Sequence, residues 1–545
     1  MSDEVAAGAS SLPSSASRSG SIQLPSWASA VFGTVVLLLV LGVLGRPSVF
    51  SDTASYLASG ADFWKTVAAP LHQASPAKFV SAAAAQAHSA EENIGLTMLG
   101  ARRPWYGVFA WPIERAGTLW LLAAVQSAMA AWLIWLSWRT LAPRAAPWTA
   151  YAVQGVTGVF STLPFITGFA MPDVFVPCLI IATTLLLIAR DQLHRNECTG
   201  LVAIIAFSTM VHGANVLLAG GMVVLAGLMT FRAIVSSRSL PAPIYMVIIA
   251  LGIGVGANML FDLKINLIYG QPPGRPPFLA GRLLADGPGR SYLRQACAHA
   301  EPYLLCRHKA EPLDDQQAIM WSVDDSTGVF SVSSLADRRT LQQEEGRFVL
   351  GTILHDPLGV AAAAATNWVK LLGMVYAEAP LVDQRMYLGH PENYPAKLPQ
   401  TNELYLPTLT SGLYRTTALP TVISRLGDCT NSEPACQPRL TMAAAAPLQI
   451  AEFLAACVAI AAITVRMVRR PSGDRLWLRA LGLITFAILV NALLCGAIAG
   501  PFARYQSSVA WLAVMMAAVG GCSLLAGVGR RPVSASDRLT GTRTV

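Results

Sequence analysis

The sequence predicts an all-α polytopic membrane protein, with about ten transmembrane helices and a large outward-facing loop domain of mixed structure. Three observations predict it. Of 545 residues, 54% are hydrophobic and only 13% are charged, about half the charge of a typical soluble chain. Mean hydropathy is +0.48. Long apolar runs recur along the chain, with basic residues at alternate ends. This composition excludes a disordered chain and an ordinary water-soluble enzyme. The net charge of +8 carries no nucleic-acid signature, because no basic stripe with interleaved aromatics accompanies it. It fits Lys and Arg gathered at the cytoplasmic ends of membrane helices.

Residues 1–25 are rich in Ser, Ala and Gly and read as a disordered cytoplasmic tail. Residues 26–45 are long enough to cross at ~20 residues per span. No small-x-small site precedes Arg46, so a retained helix is expected here and not a cleaved signal peptide. Further runs at 116–138, 146–167, 172–189, 199–213, 216–231, 243–261, 446–465, 476–497 and 505–528 complete the ten candidates. The stretch 199–231 is divided at His212–Asn215, because one helix there would put Arg232 and Arg238 on the wrong side.

Arg139 and Arg144, Arg190 and Arg195, the Arg466–Arg479 cluster, and Arg530 and Arg531 fall at one side of this threading. The opposite connections near 168–171, 213–216 and 498–503 carry no Lys or Arg. Both termini are therefore expected in the cytoplasm, with the chain in a bacterial inner membrane.

The expected organisation is an N-terminal membrane module at 26–261, including an outer loop at 46–115, and a periplasmic domain at 262–445. A C-terminal membrane module at 446–528 and a cytoplasmic tail at 529–545 follow. The outer segment opens Pro/Gly-rich (GQPPGRPPF) and has a helical stretch near 336–352. Residues 357–376 are apolar but contain Asn367 and Lys370, and read as an interfacial, membrane-leaning helix.

Of nine cysteines, Cys178, Cys457, Cys495 and Cys522 lie in apolar runs, with Cys198 at the edge of one; they read as small core residues. Cys297/Cys306 and Cys429/Cys436 form two close pairs in polar loops, on the side where disulfides are expected to form. Zinc is the alternative, without CxxC or HxxxH spacing to support it.

That threading brings sparse polar residues to one level: Asp52, Asp173, His212, Asn215, Arg504 and Tyr505, with Arg102, Arg103, Trp105 and Tyr106 in the first outer loop. Charged groups at a bilayer surface are costly to desolvate and point to function when they cluster. Each also has a structural role open to it. Asp52 suits a helix N-cap, and Asp173, after Pro172, suits a first-turn acid. His212 fits a satisfied buried histidine, Arg504 an interfacial anchor, and Arg102/Arg103 lipid headgroups.

Asp52 and Tyr56 after the first helix, Pro172–Asp173, and Arg504–Tyr505 opening a late helix together resemble the multispanning GT-C glycosyltransferases. The likeness covers the membrane architecture and these short motifs. The chain departs from better-known branches in having one acid in SDTASY instead of a pair, and His212 in place of a basic residue in a middle helix. The stretch RLLADGPGRSYLRQAC is also similar to outer loops of a proteobacterial membrane-protein family without an assigned activity.

The GT-C resemblance implies sugar transfer from a polyprenyl-phosphate-linked donor to a periplasmic glycan, lipid or protein acceptor. It implies Asp52 as general base, and Arg504 with Arg102 or Arg103 against the donor phosphate. Asp173, His212 and Asn215 would orient polar groups, and Tyr56, Trp105, Tyr106 and Tyr505 would line the sugar site. No organic cofactor is implied; Asp52 and Asp173 offer two oxygen ligands to a divalent cation. The rival classes are a polysaccharide or lipid transporter, favoured by the Gly-rich break at 213–221, and a non-catalytic envelope assembly protein.

Overall fold

The computed structural model describes residues 25–44, 47, 53, 56–57, 59–60, 63–64, 103–117, 119–231, 241–269, 272–298, 303–322, 326–377, 442–469 and 475–528. Among these residues the secondary structure is helical, without strands. The described part of 262–445 is therefore helical, and not of mixed structure as the sequence suggests.

The helices relevant to the site are α1 (Ala28–Leu44), α2 (Trp105–Gly117), α3 (Leu119–Leu141), α4 (Thr149–Val159) and α5 (Leu163–Gly168). They are followed by α6 (Phe175–Ala189), α7 (Arg195–Val211), α8 (Ala214–Met229) and α9 (Ala242–Tyr269). After the second unit come α15 (Met442–Val468), α16 (Arg475–Ile498) and α17 (Ala503–Val528). Among the described residues, six helices are long and apolar enough to cross a membrane: α3, α6 with its flanking turns, α9, α15, α16 and α17. Residues 28–43 of α1 and all of α8 are apolar but shorter. The expected break in 199–231 is present, with α7 ending at Val211 and α8 beginning at Ala214.

The expected single crossing at 146–167 is instead two short helices. Ser161 Oγ donates to the Thr157 carbonyl and accepts from the Leu163 amide, ending α4. Pro164 at the start of α5 has no amide hydrogen to continue the ladder. Thr162 Oγ1 donates to the Ser507 carbonyl of α17, 2.7 Å away. The break is held by tertiary contact, which an apolar run conceals.

Helix α6 is the hub: 83% of its span is buried, against 22% for α9 and 17% for α15. Gln126, Ser127, Ser137, Thr183 and Thr184 are also buried, so the polar side chains of α3 and α6 face protein.

A second hydrophobic cluster, around Leu284, Leu293, Tyr303, Phe330 and Phe348, gathers α10 (Phe278–Asp286), α11 (Pro288–Ala298), α12 (Gln316–Trp321) and α13 (Leu335–His355). The Cys297–Cys306 disulfide closes its edge, with Cα atoms 5.6 Å apart. Cys429 and Cys436 lie outside the described residues.

Glu345 of α13 accepts from the backbone amides of Leu279 and Ala280, at 2.9 and 3.3 Å, and so caps α10. Burial raises its pKa above the ordinary carboxylate value, against the lowering effect of those two amides. A carboxyl with a raised folded-state pKa holds a proton that the unfolded chain has already released, so stability falls as pH rises across that window. Glu345→Gln keeps an acceptor for the amides and is expected to flatten this slope. Thermal melts of purified protein from pH 4 to 8 measure it; an unchanged slope would contradict the assignment.

Helix α14 (Pro357–Leu372) follows α13 at a bend of 103°. Asp356 makes the corner: its side chain accepts from the Gly359 amide at 2.8 Å, and Pro357 opens the new helix.

Candidate functional site

The polar residues of interest gather at the end of the bundle where α2, α6 and α17 begin and α16 ends. Pro172–Asp173–Val174 forms one 3₁₀ turn leading into α6. Asp173 is 4% exposed, and its carboxylate accepts no hydrogen bond among the described residues. It is, however, within electrostatic range of Tyr106, Cys495 and Tyr505. A carboxylate so placed, without a hydrogen-bond donor, is costly. Structural acids at helix starts ordinarily recover that cost through amide contacts, and among the described residues no amide donates to Asp173.

Arg504 and Tyr505 approach the same point from α17. The Arg504 guanidinium lies 5.0 Å over the Tyr505 ring and donates to its hydroxyl at 3.1 Å. The Tyr505 carbonyl accepts from Asn491 Nδ2 of α16 at 3.1 Å. Cys495, one turn from Asn491, is within electrostatic range of both Asp173 and Arg504. Asp173 and Arg504 thus converge on Tyr505 and Cys495.

The turn that aims Arg504 depends on Gly500, whose φ of +102° disfavours any side chain. A Cβ there would also stand 3.0 Å from the Arg282 guanidinium and 3.2 Å from Gln316 Oε1. The Gly500 turn therefore rests on α10 and α12.

The opposite wall comes from the 53–64 segment and α2. Thr53 Oγ1 donates to the Ala170 carbonyl at 3.0 Å, three residues before Asp173. Tyr56 packs edge-on against Tyr106, with ring centroids 5.5 Å apart. The Tyr106 hydroxyl donates to Gln126 Oε1, and Gln126 Nε2 donates to the carbonyls of Thr167 and Phe169. One buried amide therefore ties α2, α3 and the strand of chain that delivers Asp173.

Sequence reasoning missed Gln126, Cys495 and Asn491. Gln126 and Asn491 did leave a signal: an amide in the middle of an apolar run needs a partner inside the protein. Cys495 had none, since a cysteine in such a run looks like filler.

Arg103 and Trp105 belong to a neighbouring cluster. Arg103 forms a bidentate ion pair with Asp262 of α9, and Trp105 Nε1 donates to Asn258 Oδ1 at 2.9 Å. Asn258 Nδ2 in turn donates to the Thr209 carbonyl of α7 at 3.3 Å. Arg103 thus already has a carboxylate partner, and these contacts lock α2 to α9.

Asn215 is buried and donates to the Ser208 carbonyl, tying the ends of α7 and α8 together. His212 is half-buried at the same break. Asp52 and Arg102 lie outside the described residues. Among the described residues, no group of three or more His, Cys, Asp or Glu side chains is arranged to hold a metal ion.

The structure therefore brings Tyr56, Tyr106, Asp173, Arg504 and Tyr505 together and assigns Arg103 and Trp105 to the adjoining latch. No family model, no curated protein and no solved structure matches the chain.

Proposed function

We propose that the chain is a GT-C type membrane glycosyltransferase that moves a sugar from a polyprenyl-phosphate-linked donor to a periplasmic glycan, lipid or protein acceptor. The observation that carries this reading is Asp173. It is a nearly buried carboxylate to which no described residue donates a hydrogen bond, and it shares Tyr505 with the Arg504 guanidinium at one end of an apolar bundle. That end faces the periplasm in the proposed topology, with both termini in the cytoplasm of a bacterial inner membrane.

In the proposed reaction Asp52 takes the proton of the acceptor hydroxyl as its oxygen bonds to the anomeric carbon. The bond from that carbon to the phosphate oxygen breaks, and polyprenyl phosphate leaves with the electron pair. Arg504 meets the charge that grows on the leaving phosphate. Asp173 holds a sugar hydroxyl, while Tyr56 and Tyr106 supply the aromatic wall.

A transporter is the second reading, because apolar runs of the described chain are broken at Phe160–Thr162 and at His212–Gly213. Cells carrying Asp52→Asn or Arg504→Ala distinguish the two. Transfer predicts loss of glycosylated product with accumulation of the lipid-linked sugar, at wild-type protein levels. Normal product from both variants would overturn the enzyme. Defective movement of lipid-linked sugar across vesicle membranes, with transfer intact, would favour transport.

A further inference from the structure

We propose that the corner between α13 and α14 is a membrane anchor that inserts its apolar side chains among the acyl chains of the adjoining lipid leaflet. From residue 272 to residue 349, no large apolar side chain is exposed among the described residues. Five then appear within twenty positions: Leu350 (58%), Ile353 (40%), Leu354 (73%), Leu358 (82%) and Val369 (63%). The spacing of 350, 353 and 354 puts three on one face of the last turns of α13, and Leu358 is exposed in the first turn beyond the corner. Ala361, Ala362 and Ala365 are exposed further along α14. An apolar surface confined to one corner of an otherwise polar-faced unit marks an interaction site.

The occupant follows from what lies beside it. Trp368 Nε1 of α14 donates to the Leu489 carbonyl of α16 at 3.0 Å. Leu489 is nine residues inside the end of α16 at Ile498, ~13 Å along a helix rising 1.5 Å per residue. A Cβ added at Gly496 would stand 3.1 Å from the Asn367 backbone, so α14 lies close against α16 at a second level. Helix α16 is long and apolar enough to cross a membrane and exposes Leu489, Leu493 and Ile498. The exposed face of α14 that starts at the corner therefore runs to the side of an exposed, membrane-length helix.

The backbone is suited to such insertion. Pro357 brings no amide hydrogen, and Asp356 satisfies the Gly359 amide, so few polar groups at the corner lack partners. Taken together α13 and α14 are apolar enough for a crossing, but they meet at a 103° bend, the geometry of a broken or re-entrant segment and not of one straight span.

The anchor is coupled to the second unit and the site. Asn367 Nδ2 donates to Asp286 Oδ2 at 2.9 Å, and Asp286 pairs with Arg282, the residue beside Gly500.

Single cysteines at Leu354 and Leu358, in a chain carrying Cys457→Ala, would be labelled with the fluorophore NBD. The full-length protein would be placed in phosphatidylethanolamine/phosphatidylglycerol vesicles, with the unsubstituted chain's signal subtracted. The expected result is a blue-shifted emission quenched by doxyl-labelled lipid as strongly as a probe at Leu493, while a probe at Gln343 of the same helix is not quenched. Both corner positions are exposed, so the labels leave the fold intact. Quenching by aqueous iodide in place of doxyl lipid would overturn the proposal. Crosslinking of the two sites to a second copy, with lipid quenching lost as protein density rises, would overturn it in favour of a subunit interface.

Discussion

Asparagine at Asp173 is expected to lower the proposed sugar transfer by at least about 10²-fold while leaving the folded protein as stable as wild type or more so. The two effects oppose each other for one reason. The carboxylate is nearly buried and accepts no hydrogen bond among the described residues, so its charge costs folding energy. Asparagine has the same shape without the charge. It relieves that cost and removes the acceptor that a sugar hydroxyl would use. An acid kept only for the α6 dipole behaves differently: its loss would cost about 0.3–1 kcal/mol of stability and leave transfer unchanged. Product formation per unit of membrane protein, measured alongside thermal unfolding, separates the cases. Reduced stability with normal transfer would remove Asp173 from the site.

Alanine at Gly107 is expected to destabilise the protein by roughly 3 kcal/mol and to open the site. The 53–64 segment crosses α2 at Gly60 and Gly107 with the backbones in contact. A Cβ on Gly107 would fall on the Tyr56 carbonyl oxygen and stand 2.8 Å from the Gly60 amide nitrogen. Both obstacles are backbone, so no rotamer change relieves them and the two elements must separate. Separation would strain the Tyr56–Tyr106 packing and the Thr53–Ala170 bond. Gly346→Ala is the control: it lies inside α13 with nothing within 4 Å of the added Cβ, and the better helix former should gain up to about 1 kcal/mol. Equal unfolding midpoints for the two variants would show that the crossing carries no constraint.

Local chemistry was legible wherever the sequence supplies its own partners. The corner at Asp356–Pro357 follows from a capping acid, a proline and the Gly359 amide, and Ser334 similarly caps α13 with Asp337. The pair Cys297/Cys306 is close enough along the chain to be read as a disulfide, and it is one. The break at 212 is marked by His, Gly and Asn within an apolar stretch.

The break at 160–162 escaped notice because its support is remote: Thr162 bonds the carbonyl of Ser507. Gln126 and Asp173 likewise have neighbours more than forty residues away in sequence. Arg103 looked free to meet a phosphate until the fold supplied Asp262.

Sequence by itself determined that the chain is apolar, helical and divided by basic residues into membrane-length runs. Only the tertiary structure decided which of those runs became the centre. Helices α6 and α15 both read as spans, yet α6 is surrounded by protein and α15 presents most of its surface outward. The physical reason lies in the solvent. Hydrocarbon and protein interior are equally apolar, so hydropathy separates membrane from water but not core from periphery. Packing makes that second choice, and with it the choice of which few charges face one another.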